Sequence, residues 1–321
     1  VGSASTREPN VVRIPRPRVF PGIMRAPHWL DSCWGLQALY SPGLRQLATT
    51  LDPGTTVVHI HTLWGGERYG DLGAVRLFAR RFPVVVTLHE QWLTTGHCAC
   101  PFECQRWQRG CGQCPDLSRT PGIPHDVTRL NWWRKRQAFR AQGIQIVTVS
   151  NWLLGVVQRS PILRHHPAQV VYNGIDDRVF CPTEQRRRLR DEMGLPTGAT
   201  VALLTGQTVE GVREGRAQHG VAALNRLGET SGLFALVVGA SSTQVAERLA
   251  VPCRSMPFQT TPDAMARCYQ AADFTLVTSE YETFGRVAAE SQLCETPAIV
   301  FSTGGLPEVV VRVRERAFPG G

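Results

Sequence analysis

The sequence predicts an α/β protein made of two doubly wound, Rossmann-like domains. Short, nearly continuous apolar runs recur through its 321 residues, as parallel strands buried on both faces require. Segments of helical period alternate with those runs on both sides of a break. The break falls at Asn173–Glu184, where Asn-Gly, Asp-Asp and Cys-Pro supply turn chemistry. The domains are therefore expected over residues 1–173 and 174–321, and each is long enough to bury its own core.

Taken in order, residues 1–30 are rich in Pro and Arg and read as irregular. Apolar runs then place strands at Val57–Leu63, Val84–His89, Gln145–Ser150 and Gln169–Tyr172. The segments between them place helices at Ala74–Arg81, Arg129–Ala141 and Trp152–Gln158. A basic helix start follows the break at Gln185–Arg190. In the second half, strands are expected at Val201–Thr205, Phe234–Val238, Phe274–Thr278 and Ala298–Phe301, with helices at Ala217–Leu227, Pro262–Ala271 and Val287–Leu293.

Composition narrows the class. With 42% hydrophobic and 19% charged residues the chain reads as an ordinary globular protein. Its longest apolar runs, such as Val84–Leu88 and Leu233–Ala240, fall far short of the ~20 residues of a membrane span. The opening residues lack the charged and apolar pattern of a secretion signal, so a cytoplasmic location is expected. Charge is unevenly shared. Up to Asn173 twenty Arg/Lys face nine Asp/Glu, a net +11; beyond it fifteen face seventeen, a net −2. A basic half points to an anionic partner. The plainer reading is a general preference for Arg, since Lys135 is the only lysine. No recognised nucleic-acid module accompanies the charge, so nucleic acid is not expected.

The most informative stretch is Ser279–Glu290, followed by Thr296-Pro297 and Ser302-Thr-Gly-Gly-Leu-Pro-Glu308. A strand ends at Thr278 and a loop presents Glu280 and Glu282. Gly285 lets the backbone approach a ligand, and a helix begins near Arg286 with Glu290 on its second turn. Free amides at a helix start form an anion site, and an acidic side chain can accept two hydrogen bonds from a ribose diol. Thr303-Gly304-Gly305 offers a second set of amides for phosphate.

Glu282-x7-Glu290 with Phe284-Gly285, Thr296-Pro297 and Gly304–Glu308 resembles the retaining glycosyltransferases of family 4. Val149-Ser-Asn-Trp152, Val171–Phe180 and the Thr87–Cys98 run are similar to further segments of that family, in its polysaccharide-type branch, and together they cover roughly residues 55–310. The resemblance implies a GT-B fold, with two Rossmann-like domains facing across a cleft. It implies transfer of a sugar from a nucleotide diphosphate, UDP or GDP, with retention and without a required metal. The acceptor would be a glycan, a lipid-linked glycan or a small molecule. It assigns Glu290 to the nucleotide ribose and Glu282 to the donor sugar, with Phe284, Gly285 and Arg286 beside it; Thr303 and Gly304 contribute their amides. His89 is assigned to the sugar as well. The diphosphate contacts fall to Gly206, Arg213 and Arg216 on the Thr205–Arg216 loop, which departs from the family's Arg and Lys pattern. Arg is not equivalent to Lys there. Gly65 and Gly66 line the acceptor side. Other readings are a different GT-B enzyme, such as a nucleotide-sugar epimerase, or a non-catalytic nucleotide-sugar-binding protein. A phosphorylase needs a pyridoxal-binding lysine, for which Lys135 is a poor candidate.

Three further features sit in the first half. His59 and His61 alternate along a strand, so one is expected to face the core. Cys98, Cys104, Cys111 and Cys114, with Cys100 and His97 nearby, have the count and compactness of a structural zinc site; the alternative is a free-thiol or disulfide-bridged loop. Arg129–Arg140 is a basic helix carrying Trp132, Trp133 and Phe139. It can rest on anionic lipid, giving peripheral contact with the inner face of a membrane, or bury its aromatics against the sheet.

Overall fold

The structure is a computed structural model and describes residues 33–37, 42–65, 68–205, 215–228 and 232–310. The chain divides into two compact units, Val1–Tyr172 and Asn173–Gly321.

The first unit runs α1 (Pro42–Thr50), β1 (Val58–Ile60), β2 (Trp64–Gly65), β3 (Arg68–Tyr69), α2 (Leu72–Ala79), β4 (Val84–Leu88), α3 (Thr128–Ala138), β5 (Ile144–Thr148), α4 (Asn151–Arg159) and β6 (Ala168–Val170). Its sheet has the order β1-β4-β5-β6 with every pair parallel; β2 and β3 form a separate antiparallel pair. The central strands are apolar because helices cover both faces: Val84, Val86, Leu88, Ile144 and Ile146 are all buried. Local chemistry fixes the helix starts. Asp71 caps α2, accepting from the Gly73 and Ala74 amides at 2.8 and 3.2 Å while pairing with Arg45 at 2.8 Å. Ser150 caps α4 through the Leu153 amide.

The second unit runs α5 (Arg186–Glu192), β7 (Thr200–Thr205), α6 (Gly215–Gly228), β8 (Leu233–Val238), α7 (Ser242–Ala246), β9 (Cys253–Met256), α8 (Pro262–Ala271), β10 (Phe274–Val277), α9 (Arg286–Leu293), β11 (Ala298–Val300) and α10 (Leu306–Val309). Five parallel strands lie in the order β11-β10-β7-β8-β9. Alternate residues feed two cores, one on each side of the sheet. Val201, Leu203, Leu236 and Val238 pack with Leu189, Tyr269 and Ala271. Ala202, Leu204, Ala235, Val237 and Leu276 pack with Leu224 and Val245. Each fully buried leucine contributes ~1.5–3 kcal/mol. The winding reverses between β7 and β10, which makes that point the topological switch, where open α/β sheets bind ligands.

Several elements go beyond the sequence reading. Strand β9 reads Cys-Arg-Ser-Met and pairs only with β8, an edge position where Arg254 and Ser255 stay exposed. Helices α1, α7 and α10 and the β2–β3 pair are short and leave little periodicity to read. Arg190, read as part of a basic helix, is 6% exposed. It donates to the carbonyls of Ala271 and Ala199 and pairs with Asp273 at 2.7 Å; Asp273 also accepts from the Val201 amide. This guanidinium ties α5 to the β7 and β10 ends.

Candidate functional site

At the switch point, β10 leads into Thr278–Phe284 and then α9. Gly285 caps that helix with φ +102°. A Cβ there would press on Leu306 at 2.6 Å, so both conformation and space call for glycine. The turn that follows β11 folds back on the same loop. The Gly305 amide donates to the Glu282 carbonyl at 2.9 Å, and the Thr303 hydroxyl donates to the Glu280 carbonyl at 3.0 Å. Gly304 has φ +56°, and a Cβ on it would collide with the Glu282 carbonyl. The amides of the first α9 turn are thereby held at one end of the sheet beside Gly304. The expected second set is reduced to the Gly304 amide, because the Thr303 and Gly305 amides are spent on the Phe301 and Glu282 carbonyls at 2.9 Å each. Glu282 is half-buried, and its carboxylate accepts from the neighbouring Thr283 amide. Phe284 is buried at 6% exposure, so only its backbone is available to a ligand.

Gly304→Ala is expected to displace the Glu282 loop without unfolding the unit. The measurement is turnover or nucleotide affinity. A misplacement of about 1 Å is worth about 10²-fold in rate. Gly198→Ala, where a Cβ meets nothing within 4 Å, should leave both unchanged.

Glu290 is 7% exposed, and both of its carboxylate oxygens have partners. Oε2 accepts from the Tyr269 hydroxyl at 3.0 Å; Oε1 accepts from Arg286 Nε and Nη2 at 3.2 and 3.0 Å. Tyr269 is fully buried, and burial, then the Glu290 charge, hold its phenol far above the usual range, so it remains a donor. A carboxylate has about four acceptor sites; three are taken here, so one ribose hydroxyl fits directly and the second requires Arg286 to release Oε1. The Arg286 guanidinium is thus engaged with Glu290, and only its amide belongs to the helix start.

Of the diphosphate candidates, Gly206 and Arg213 lie outside the described residues. Arg216 is in the first turn of α6, with its side chain outside the description. One residue pair at this edge escaped the sequence reading. His219 on α6 meets Glu280 at 2.8 Å and stacks edge-on to Phe301 at 5.4 Å. Gly220 lets α6 approach, since a Cβ there would touch Leu204 at 2.6 Å.

In the first unit, the ends of β1 and β4 bring three histidines together. His61 Nδ1 lies 3.1 Å from His89 Nε2, and His59 Nε2 lies 2.8 Å from the Thr87 hydroxyl. The rings of His59 and His61 are 4.1 Å apart. Neither faces the core, which corrects the expectation: residues two apart on a strand share a face, and His59 and His61 stand together on the exposed side of β1. Partial burial, then the neighbouring imidazoles, lower the His89 pKa; the same causes lower that of His59. Next to His89, Glu90 accepts from Trp64 Nε1 at 3.0 Å and from the Trp92 amide. Gly65 lies in β2, while Gly66 is outside the described residues.

The loop between β4 and α3 holds the cysteines. His97, Cys98, Cys104, Cys111 and Cys114 line one cavity of about 20 Å³. The four cysteines are free thiols. Burial pushes Cys98 up to about 12 and Cys111 up to about 11, which argues against a nucleophilic role. Among the described residues no group of three or more His, Cys, Asp or Glu is already arranged to hold a metal ion. Helix α3 splits its aromatics. Trp132 and Phe139 are buried, with Trp132 Nε1 donating to the Trp107 carbonyl at 2.8 Å. Trp133 and Leu130 are 52% and 45% exposed, on the side that also carries the exposed Arg129, Arg136 and Arg140.

With this geometry in view, comparison with known proteins places the chain. Residues 3–179 match the Glycosyltransferase Family 4 domain, and residues 241–314 match the domain of Glycosyl transferases group 1. The chain belongs to glycosyltransferase family 4. Its relatives include the putative colanic acid biosynthesis glycosyl transferase WcaC of Escherichia coli, 28% identical over 163 residues, 48% of this chain and 39% of WcaC. The D-inositol 3-phosphate glycosyltransferase of Segniliparus rotundus is 36% identical over 152 residues, 44% of this chain and 33% of that protein. The aligned stretches thus span only a third to two fifths of these relatives. Sucrose-phosphate synthase from Thermosynechococcus elongatus has a similar structure, with 18% identity and a TM-score of 0.58 over 84% of this chain and 62% of that one. Anabaena HepE, solved in complex with UDP-glucose, gives 18% identity and a TM-score of 0.54 over 85% and 66%. At such identity these structures establish the fold, which is GT-B. For a family 4 chain, the Glu-x7-Glu helix, its glycine cap and the Gly304 turn stand together at one sheet edge.

Proposed function

We propose that the protein transfers a glycosyl group from a nucleotide diphosphate sugar, UDP- or GDP-linked, to an acceptor with retention of configuration. The observation that carries this is the second unit's switch point. The first-turn amides of a glycine-capped helix, the Gly304 amide and the buried Glu290 stand at one edge, which suits a ribose followed by a diphosphate. Family membership supports the same reading. In it, Glu290 holds the ribose diol, Glu282 and His89 meet sugar hydroxyls, and the α9 and Gly304 amides meet the diphosphate. Arg213 and Arg216 add charge there.

The chemistry follows from charge. As the bond from the anomeric carbon to the phosphate oxygen breaks, the diphosphate gains negative charge, and preorganised amides stabilise it. The acceptor oxygen bonds the anomeric carbon on the same face and gives its proton to the departing phosphate oxygen. No metal is required in this scheme. The +11 of the first half suits an anionic acceptor, a lipid-phosphate-linked glycan before a free glycan or small molecule. The exposed Trp133, Leu130, Arg129, Arg136 and Arg140 favour a cytoplasmic enzyme resting peripherally on the inner face of a membrane. Among the described residues no helix is long and apolar enough to cross one.

The test is incubation with labelled UDP- and GDP-sugars, following transfer or slow hydrolysis and the anomeric configuration of the product. A retained product supports the proposal. Binding without turnover would make the chain a nucleotide-sugar-binding protein, and an inverted product would exclude the same-face step.

The histidines add a pH prediction. Because its pKa is lowered, His89 stays neutral below the usual imidazole range, so the acid limb of the rate profile should lie below pH ~6.5. His61→Ala removes a charge that lowers the His89 pKa and should move that limb to higher pH. An unmoved limb would separate His89 from the reaction.

A further inference from the structure

The cysteine loop is not used by the transfer reaction, yet backbone hydrogen bonds hold it in place, the Ala99 amide to the Thr120 carbonyl at 2.8 Å and the Cys111 amide to the Arg106 carbonyl at 3.0 Å among them. Cys98, Cys104, Cys111 and Cys114 reach one cavity from three points of the chain. Its volume of about 20 Å³ accommodates a single water-sized sphere, which needs ~10–15 Å³. Four consecutive residues, Gly110, Cys111, Gly112 and Gln113, have positive φ, from +49° to +109°. That left-handed run turns the chain tightly, so that Cys111 and Cys114 both line the cavity. The Gly96 amide donates to Cys111 Sγ at 3.2 Å. His97 Nε2 lies 3.5 Å from Cys114 Sγ. A backbone donor aimed at sulfur, as the Gly96 amide is, favours thiolate over thiol, as the outer hydrogen bonds of metal sites do.

A second observation concerns the charge beside the thiols. Lys135 is fully buried and donates from Nζ to the carbonyls of Trp92 and Thr95 at 2.6 and 3.1 Å, over the Trp92 ring at 3.5 Å. Its ammonium lies close enough to Cys98 and Cys111 for their charges to interact. Glu90 is the carboxylate that faces it. A four-thiolate zinc centre carries a net −2, and a buried cation beside it offsets part of that charge.

We propose that Cys98, Cys104, Cys111 and Cys114 bind one structural Zn²⁺ that staples the β4–α3 loop to the first unit. The thiols line the cavity wall without yet forming a ligand set among the described residues. On binding, the ion gathers the four sulfurs that line the cavity. Binding displaces four thiol protons to solvent, which makes affinity rise with pH. Such a centre is closed, with no open coordination position, and its role is stability rather than chemistry. The inference stands apart from the transfer reaction and survives if that reaction is wrong.

Metal analysis of protein purified without added metal should give about one zinc per chain. Cobalt exchange should produce the visible absorption of tetrahedral cobalt with thiolate-to-cobalt charge transfer. Cys111→Ser and Cys104→Ser should abolish that spectrum, whereas Cys100→Ser, outside the set, should keep it. Since the first two variants can fail to fold, the wild-type protein carries a separate readout: chelation should expose four additional thiols to a thiol reagent. Folded protein with less than a tenth of an equivalent of zinc and no cobalt spectrum would overturn the site. So would Cys100→Ser losing metal as fully as Cys111→Ser, or chelation exposing no new thiols.

Discussion

Lys135→Met is expected to cost the first unit about 3–5 kcal/mol, the usual penalty for breaking a buried charge arrangement by removing one partner. The Trp92 and Thr95 carbonyls lose a charged donor, and Glu90 loses the cation that opposes its charge. Burial pushes the Glu90 carboxyl up and the Lys135 ammonium down, and each charge partly holds the other in place. Arginine should not rescue, because a guanidinium is larger and the site is fully enclosed. The check is urea unfolding of the full chain, reading the first unit through its tryptophans. A midpoint indistinguishable from wild type would mean that the ammonium is not the pin of this loop.

Glu290→Ala is expected to act on two quantities at once. Nucleotide binding should weaken by at least tenfold, from the loss of two charge-assisted hydrogen bonds worth ~1.5–3 kcal/mol each. The second unit should also lose ~1–3 kcal/mol, because the buried Tyr269 hydroxyl is left without its acceptor. Glu290→Gln separates the two effects. It keeps an acceptor for Tyr269 and removes the charge that Arg286 and the ribose share, so stability should largely return while affinity does not. Calorimetric titration with UDP and GDP, beside denaturant unfolding, reads both. Unchanged affinity in the alanine variant would remove Glu290 from the site.

Much of the fold is visible in the sequence because burial on both faces of a parallel sheet leaves uninterrupted apolar runs. Val201–Thr205, Phe234–Val238 and Phe274–Thr278 each lie within a residue of a strand. The runs fail where burial is one-sided. Strand β9 is polar because it is an edge, and on β1 His59 and His61, two residues apart, share the exposed face. Helix Pro262–Ala271 is legible to the residue, since Thr261 caps it and proline opens it. The Glu-x7-Glu block is legible too, but its partners are not. Tyr269 lies twenty-one residues before Glu290 on a different helix, and nothing local to either residue announces the contact. The same holds for Arg190 and Asp273, eighty-three residues apart. Long-range pairs of polar side chains are specified by packing, which no local pattern carries.

The central claim is that a nucleotide diphosphate binds at the switch point of the second unit. Hydrogen–deuterium exchange with and without saturating UDP, and again with GDP, tests it most directly. Protection is expected on the amides of Arg286–Ala288 and Thr303–Leu306, together with the β10–α9 loop. Tight binding accompanied by protection confined to the first unit, or to neither segment, would contradict it.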